Sequence, residues 1–305
     1  MDLATYSTPT SSPSFFNNRD AIVGFFAMGV TLCIWAGFAL STRATESAHL
    51  EVVDVAFIRA SVPALILCPF LWLRREKLLS LPKRYAATIA LGGGAPFFAL
   101  AAIGGGFTSA THVGALIAGT VPVTVALLMW AGLGQRPTTR EASALLTITF
   151  GALLLIVASG ASVSNLALGV GSLLIASLAW AAYTIGLRSS GLDPLTAGAL
   201  VSVPSAVVLL PIIATGAVPT TLFTSPPSEL MSFILVQGIG VGLVASLTYA
   251  SAIRLIGANK CAAIGAGAPA LTSVLAWPIL GEALSIPIFV AVGIICAGIW
   301  RANKS

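Results

Sequence analysis

Residues 265–282, GAGAPALTSVLAWPILGE, are almost entirely small or apolar, yet they include two prolines and end on a carboxylate. Residues 118–135, AGTVPVTVALLMWAGLGQ, align with them at a constant offset of 147 positions. Three less common residue types coincide in that alignment: Pro122 with Pro269, Trp130 with Trp277, and Gly134 with Gly281. Matches of this kind at one fixed spacing indicate an internal repeat.

The composition of the chain excludes a soluble protein. It has 305 residues, of which 57% are hydrophobic and 8% charged, and its mean hydropathy is +0.99, whereas soluble domains carry about 25% charged residues. Ten apolar segments, each long enough or nearly long enough to cross a bilayer, lie at 20–42, 53–73, 85–106, 110–134, 141–159, 166–188, 194–216, 229–254, 258–280 and 284–300. None alternates between apolar and polar residues, which excludes an outer-membrane barrel.

The basic residues are divided unequally between the two sides of these segments. Thirteen of the 15 Lys and Arg residues fall in the loops on one side, Arg43 falls on the other, and Arg59 lies inside the second segment. The side rich in positive charge is normally cytoplasmic. We therefore expect both termini in the cytoplasm. Residues 1–19 would be a short polar tail there, since they lack the basic start and apolar middle of a signal peptide.

The repeat extends beyond the two stretches that reveal it. Trp35 is followed eight residues later by Arg43, and Trp180 is followed at the same distance by Arg188. The second and seventh segments each contain a pair of prolines. The repeat therefore relates segments one to five to segments six to ten.

The two copies, residues 20–160 and 166–305, contain five segments each. Because five is odd, the second copy enters the membrane from the opposite side. Inverted repeats of this kind are typical of secondary transporters, which bind their substrates near the midplane between the repeats. The sequence thus predicts an all-α polytopic membrane protein with ten transmembrane helices, arranged as two inverted five-helix repeats around a central cavity.

Five prolines within the apolar segments are predicted to kink their helices: Pro63, Pro96, Pro122, Pro204 and Pro269. A proline inside a helix removes one backbone hydrogen bond, and in lipid the freed carbonyl must find its partner within the protein. We therefore expect these kinks to pack against neighbouring helices or to line a wet cavity. Gly238 and Gly242 form a GxxxG pair, which is compatible with packing inside the molecule or with a dimer face.

The ends of the two opening stretches resemble a known family. A helix of small residues with a central proline that ends in Gly-Glu resembles the EamA half of the drug/metabolite transporter superfamily. The residues that carry the pattern here are Pro269 and Leu280-Gly281-Glu282, with Pro122 and Leu133-Gly134-Gln135 in the first copy. Gln135 departs from the usual glutamate. Among the branches of the superfamily, the chain most resembles the bacterial aromatic amino acid exporters.

This resemblance implies a carrier in the bacterial inner membrane that exports small solutes from the cytoplasm by alternating access. Aromatic and other largely neutral amino acids are the expected substrates. Other small metabolites or lipophilic cationic drugs are an alternative, and a membrane scaffold or receptor without transport is an alternative of a different class. The expected partners are the solute and the lipid bilayer, without nucleic acid, and a monomer is favoured.

Aromatic residues inside the segments are the first candidates for the solute site. Trp35 and Trp180 occupy equivalent positions in the first and sixth segments. Tyr183 follows Trp180 by three residues and so shares its helix face. In a cavity, their flat faces would bind an apolar side chain or a cation. The alternative is ordinary packing between helices.

Three uncharged polar residues of the eighth segment are further candidates: Gln237, Ser246 and Tyr249. Their side chains would hold the ammonium or carboxylate group of an amino acid. Hydrogen bonding between helices is the alternative.

Arg59 and His112 are predicted as gate or outer-side residues. Arg59 follows Asp54 by five residues, about 7–8 Å farther along the helix. There it would bind a carboxylate or phosphate, or reach outward to the acids at the outer end. His112 begins the fourth segment on the outer side, where it either couples transport to protons or lies at the interface as a satisfied histidine. Glu282 is expected at the outer end of the ninth segment.

No catalytic motif is present in the sequence. It lacks both GxxxxGK[ST] and HExxH, the patterns of an ATP-binding loop and of a zinc protease. Its four cysteines lie in apolar runs without the spacing of a zinc site or a disulfide framework, as expected for small buried hydrophobic residues. We therefore expect neither enzymatic activity nor a cofactor or metal.

Overall fold

The computed structural model describes residues 18–44, 50–107, 110–158, 166–280 and 285–303. Within these ranges the regular structure is entirely helical. The α-helices are α1 (Asn18–Ala44), α2 (Val52–Leu73), α3 (Arg75–Ser80), α4 (Lys83–Gly92), α5 (Ala95–Gly106), α6 (Ala110–Leu133), α7 (Thr139–Ala158), α8 (Leu166–Ser190), α9 (Pro194–Ala214), α10 (Pro227–Phe233), α11 (Ser246–Ile256), α12 (Ala258–Gly265), α13 (Ala268–Leu280) and α14 (Ile286–Asn303). A π-helical segment, Ile234–Ala245, joins α10 to α11 without a break.

Six helical stretches among the described residues are long and apolar enough to cross a membrane: Arg19–Gly37, Val52–Leu73, Lys83–Gly106, Ala167–Ser190, Pro194–Ala214 and Pro227–Ile256. Leu116–Gly132 and Ile286–Ala302 are apolar but shorter. Large apolar side chains cover the outside of these helices, as shown by Leu65, which is 79% exposed, and Phe26, which is 73% exposed. An exterior so rich in apolar side chains suits contact with lipid rather than water.

The structure differs from the sequence-based prediction at two of the five prolines. The third apolar segment is broken, because α4 ends at Gly92 and α5 begins at Ala95 with Pro96 in its first turn. In the ninth segment α13 begins at Ala268, so Pro269 also lies in a first turn. Proline suits this position because the first N–H groups of a helix have no intrahelical partner to lose. Both residues therefore start helices instead of kinking them.

The other three prolines lie inside continuous helices: Pro63 in α2, Pro122 in α6 and Pro204 in α9. Each leaves one backbone carbonyl of its helix without the usual partner. The repeat-related prolines Pro122 and Pro269 thus have different roles, one inside a helix and the other at a helix start.

Helices that are far apart in sequence pack against each other. α2 lies along α9, α7 lies along α14, α1 packs on α11, and α8 packs on α4, α5 and α6. At one end of α2, Asp54 accepts a hydrogen bond from the backbone N–H of Thr221, beyond the end of α9 (2.9 Å). At the other end, Arg74 lies 3.8 Å from Asp193, which precedes α9. The helices α2 and α9 therefore run antiparallel.

The pair α7 and α14 is antiparallel as well. Arg301, near the end of α14, donates a hydrogen bond to the hydroxyl of Ser143, near the start of α7 (2.8 Å). Farther along, a Cβ at Gly151 of α7 would lie 2.8 Å from Cγ1 of Ile295. The backbones of these helices approach closely because the position at the contact is a glycine.

The GxxxG pair of the π-helical segment faces α2. A Cβ at Gly238 would lie 2.7 Å from Cγ2 of Val62, and a Cβ at Gly242 would collide with the carbonyl oxygen of Arg59. These contacts favour packing inside the molecule, one of the two possibilities that the sequence leaves open. They also bring the π-helical segment against the backbone of Arg59.

Candidate functional site

A cavity lies between the N-terminal and C-terminal halves of the chain. Its lining includes Trp35, Arg59 and Phe98 from the first half and Trp180, Ser202 and Tyr249 from the second. The empty space, with the open mouth included, is about 570 Å³.

The cavity lies at mid-depth in the helices. At a rise of about 1.5 Å per residue, Arg59 is about 10 Å from the start of α2 and Ser202 about 12 Å from the start of α9. Because α2 and α9 run antiparallel, these two distances are measured from opposite ends of the molecule. A solute in the cavity is thus surrounded by the central parts of the helices.

One side of the cavity is aromatic, and we call Trp35, Trp180, Tyr183 and Tyr249 the aromatic wall. The ring centroids of Trp35 and Trp180 are 5.6 Å apart with an edge-on orientation, and Tyr249 lies 5.3 Å from Trp35 and 5.4 Å from Trp180. Tyr183 lies 5.0 Å from Trp180, and Phe97 lies 4.8 Å from it on another side. Rings at such distances stabilise one another beyond the effect of burial.

Two polar groups of the aromatic wall, the indole N–H of Trp180 and the hydroxyl of Tyr249, are bonded within the protein. The indole N–H of Trp180 donates to the hydroxyl of Tyr249 at 3.3 Å, and the hydroxyl of Thr184 donates to the carbonyl of Trp180 at 2.8 Å. Because Thr184 has a single proton to donate, its 2.8 Å contact with Tyr249 is one in which Tyr249 donates. These groups therefore present ring faces and edges to the cavity rather than free hydrogen-bonding groups.

The break between α4 and α5 allows the aromatic wall to pack closely. A Cβ at Gly92 would collide with the carbonyl oxygen of Ala179, and a Cβ at Gly93 would lie 2.9 Å from the ring of Tyr183. Glycine is required at both positions because α8 occupies the space of a side chain. Pro96 follows directly, and α5 starts beside the cavity.

Another part of the lining contains a charge, and we call Arg59, Phe98, Ser202 and Ser205 the arginine wall. The guanidinium carbon of Arg59 lies 5.6 Å from the ring centroid of Phe98. Ser205 accepts a hydrogen bond from the first N–H of α5 (3.0 Å) and donates to a carbonyl of its own helix. Ser202 likewise donates to a carbonyl of its own helix.

Arg59 has no carboxylate partner among the residues that the structure describes. The nearest acid in its helix, Asp54, accepts hydrogen bonds from Thr220, Thr221 and the N–H of Glu51. Asp54 is fully buried and joins the start of α2 to the loop after α9. The pairing of Arg59 with Asp54 that the sequence allows is therefore not formed.

A model of one transporter family matches the chain twice, at residues 22–157 and 167–303. The chain belongs to the EamA-like transporter family. Members of this family are membrane transporters, so the protein is a multi-pass membrane transporter of small solutes and not an enzyme. The two matches also show that it contains two EamA repeats.

Twenty-nine chains of solved structures match this EamA-like transporter. One is a crystal structure described only as that of a protein; it has a TM-score of 0.71 and 17% sequence identity, covering 94% of this chain and 97% of the other. At that identity the likeness shows a shared fold. No curated protein gives a significant sequence match.

The other residues named from the sequence occupy varied places in the transporter. Ser246 lines the cavity, and its hydroxyl donates to carbonyls of its own helix. Gln237 is 2% exposed and is outside the cavity lining, and its Oε1 has no hydrogen-bond partner among the described residues. His112 belongs to α6, but its side chain lies outside the described part, as do Gly281 and Glu282 entirely.

Three lining residues of the cavity were not predicted from the sequence: Phe98, Ser202 and Ser205. Ser202 and Ser205 are spaced by three residues on α9, which places them on one helix face, and this spacing was a detectable signal. Phe98 is indistinguishable by residue type from a lipid-facing phenylalanine. Its place in the lining depends on the helix break that precedes it.

At the end of the molecule opposite Asp54, the two halves of the transporter meet at Asp193. Lys77 donates to the carbonyl of Gly191 (2.6 Å), and Arg74 lies near the Asp193 carboxylate. Partial burial raises the pKa of Asp193, but hydrogen bonds from the N–H and hydroxyl of Thr196, together with Arg74, outweigh it and lower that pKa below its ordinary value.

Proposed function

We propose that this EamA-like transporter exports small organic solutes, with aromatic and other largely neutral amino acids first among them, by alternating access around the central cavity. The observation that carries the proposal is the composition of that cavity. Both halves of the chain line it at mid-depth, and it combines an aromatic wall with an arginine wall. An aromatic wall suits an apolar or aromatic side chain, and a guanidinium suits a carboxylate.

The proposed membrane arrangement is ten transmembrane helices in two inverted five-helix repeats. In it, α4 with α5 forms one span, α10 with α11 another, and α12 with α13 a third. Two antiparallel helix pairs support this arrangement. The pair α2–α9 joins the second span to the seventh, and the pair α7–α14 joins the fifth span to the tenth, so each pair consists of repeat-related spans. Related helices that run antiparallel are what an inverted repeat requires.

The proposed orientation places both termini in the cytoplasm of a bacterial cell, with the protein in the inner membrane. The concentration of Lys and Arg on one side supports this orientation. On that assignment, the Arg74–Asp193 contact lies at the cytoplasmic end of the cavity and Asp54 at the outer end. Solute then enters past the first contact and leaves past the second.

The proposed mechanism rocks the two halves about the cavity. Each end of the α2–α9 pair is held by a polar contact, Asp54 with Thr221 at one end and Arg74 with Asp193 at the other. Opening one end requires loosening its contact while the other end stays closed, which is the condition for alternating access. Arg74 is largely exposed, so its contact is weak and readily broken.

The cavity composition favours amino acids over lipophilic cationic drugs. A cation would be repelled by Arg59, and the described lining residues offer no carboxylate to offset that repulsion. Other small metabolites are a second candidate class of substrate, because the ring faces of the aromatic wall suit apolar groups in general and not only those of amino acids. A scaffold or receptor would show no flux at all, so the same experiment tests it.

Counterflow in proteoliposomes tests the proposed function. Purified protein is reconstituted with unlabelled phenylalanine, leucine or glycine inside, and uptake of the labelled form is followed with and without a proton gradient. Saturable uptake above that of protein-free liposomes is expected, with phenylalanine preferred to glycine. Absence of saturable flux for every amino acid tested would contradict the proposal, and a dependence on the gradient would identify proton coupling.

A further inference from the structure

We propose that the cavity recognises its solute as an aromatic carboxylate and does not require the α-ammonium group. The inference rests on the proposed transport function and specifies its substrate class. It follows from one juxtaposition, a guanidinium without a carboxylate partner on one wall and a hydrogen-bonded aromatic cluster on the other.

The arginine wall supplies a positive charge that the rest of the described cavity does not balance. A charged side chain within a transmembrane segment is unfavourable unless it finds a partner or water. Arg59 lies on the face of Phe98, which orients the guanidinium but leaves its N–H donors available. An anionic group of the solute would complete the pairing, and a planar carboxylate matches the guanidinium fork with two parallel hydrogen bonds.

The start of α5 adds to the positive character of this wall. Gly94 and Ala95 line the cavity at the N-terminus of a twelve-residue helix, where the helix dipole is positive. Its first N–H is bound by Ser205, so the backbone contributes a field rather than a free donor. The field favours an anion at the same place as Arg59.

The cavity offers an ammonium group no carboxylate partner, because no aspartate or glutamate is found in its described lining. The hydroxyls of Tyr249 and Thr184 are engaged with Trp180 and with each other. An ammonium therefore gains no ion pair on entering, and it loses its hydration and is repelled by Arg59.

The aromatic wall accounts for the other half of the substrate class. Its rings are held in place by contacts with each other and by α4, so their faces are preorganised for a flat, apolar group. A ring on the solute would contact Trp35 and Trp180 while its carboxylate reaches Arg59. Solutes with both features are expected to use the whole cavity.

Three related solutes separate these requirements. L-Phenylalanine carries both charged groups, 3-phenylpropionate lacks the ammonium, and 2-phenylethylamine lacks the carboxylate. Counterflow of each labelled compound is measured at neutral pH, with the leak into protein-free liposomes subtracted. Flux of 3-phenylpropionate equal to or above that of phenylalanine, with little flux of 2-phenylethylamine, is the expected result.

Two variants of Arg59 test the recognition of the carboxylate. Arg59→Gln is expected to reduce counterflow of 3-phenylpropionate at least about tenfold, because the charge-assisted hydrogen bonds are lost. Arg59→Lys keeps the charge without the planar fork and is expected to give an intermediate flux. Arg84→Gln is the matched control, since Arg84 also stacks on an aromatic ring, that of Tyr85, but is exposed and outside the cavity; its flux should match the unmodified protein.

The outcomes distinguish this inference from the proposed function. Flux of phenylalanine without flux of 3-phenylpropionate, preference for 2-phenylethylamine, or full activity of Arg59→Gln would overturn the inference while transport itself stands. Absence of flux for all three would overturn both. Thermal unfolding in detergent checks that Arg59→Gln is folded, and if it is not, the comparison of the three solutes on the unmodified protein decides alone.

Discussion

The two walls of the cavity contrast in how their polar groups are used. In the aromatic wall, the indole of Trp180 and the hydroxyl of Tyr249 are bonded within the protein, and the rings pack on each other. In the arginine wall, Arg59 rests on Phe98 and has no ion pair among the described residues. In the first wall Trp180 and Tyr249 have their partners without a solute, whereas the second wall has a charge left to be paired.

This difference suggests that the aromatic wall matters more for stability and Arg59 more for transport. A group whose partners lie within the protein contributes to folding and is costly to remove. A charge without a partner contributes little to folding and is retained for a ligand. We therefore expect changes in the aromatic wall to destabilise the protein most, and changes in Arg59 to affect transport with little loss of stability.

Trp180→Ala should cause the largest effect. Trp180 contacts four other rings, and its removal should lower the free energy of unfolding by about 3–5 kcal/mol. Transport of aromatic solutes should fall more than that of small ones, because the ring face proposed to bind them is removed. Thermal unfolding and counterflow of phenylalanine against glycine measure the two consequences. Trp72→Ala, at a tryptophan that is 72% exposed, is the control, and an equal loss for all solutes would indicate packing alone.

Gly242→Ala should have the next largest effect, because it acts on the backbone behind the arginine wall. The added methyl group collides with the carbonyl of Arg59, and α2 must move away from the π-helical segment. Overpacking of this kind costs about 1–3 kcal/mol, and the displacement of Arg59 should also reduce transport. Gly240→Ala, in the same segment but with its nearest contact at 3.3 Å, should be milder in both assays. Similar effects of the two changes would contradict the close contact at Gly242.

Tyr249→Phe isolates the hydrogen bonds of the aromatic wall from its ring packing. The indole N–H of Trp180 loses its acceptor and the hydroxyl of Thr184 loses a donor. We expect a loss of about 1–2 kcal/mol in unfolding free energy and little change in solute preference, since the ring remains. Combining it with Thr184→Val should give less than the sum of the single effects. Strict additivity would mean that the two hydroxyls act independently.

Asp193→Asn should have the smallest effect, because it lies outside both walls. At neutral pH we expect a loss of less than about 1 kcal/mol, since Asn still caps the helix and the Arg74 contact is exposed. The pKa of Asp193 is lowered in the folded protein, so its charge stabilises the fold above its ordinary pKa. That stabilisation is lost as the pH falls through the lowered value. Unfolding midpoints of the two proteins should therefore converge in acid, while Glu76→Gln, at an exposed acid, serves as the control.

Part of the cavity could be predicted because polar and aromatic residues stand out against an apolar chain. Trp35 and Trp180 were predicted from their repeat-related positions, Tyr183 from its place three residues after Trp180, and Arg59 from its charge inside a segment. All four line the cavity. What the sequence could not reveal is which polar atoms are free. This depends on distant partners: Tyr249 engages Trp180 and Thr184, and the loop after α9 engages Asp54.

The helix break before Pro96 is a second feature that could not be predicted from the sequence. Proline within an apolar run indicated a kink, yet the chain ends one helix at Gly92 and starts another at Ala95. At this break α8 fills the space of side chains at Gly92 and Gly93, with the carbonyl of Ala179 at the first and the ring of Tyr183 at the second. The local sequence around Gly92 does not show that α8 lies so close to it.

By itself, the sequence determined that the chain is helical, apolar enough for a membrane, and built from two related halves. These properties follow from composition, segment length and repeated spacing, all of which are local along the chain. The tertiary structure decided which prolines begin helices, which hydroxyls are engaged, and that Arg59 faces an aromatic wall without a described carboxylate partner. Those properties depend on contacts between residues far apart in sequence, because a polar group in an apolar interior is defined by its neighbours in space.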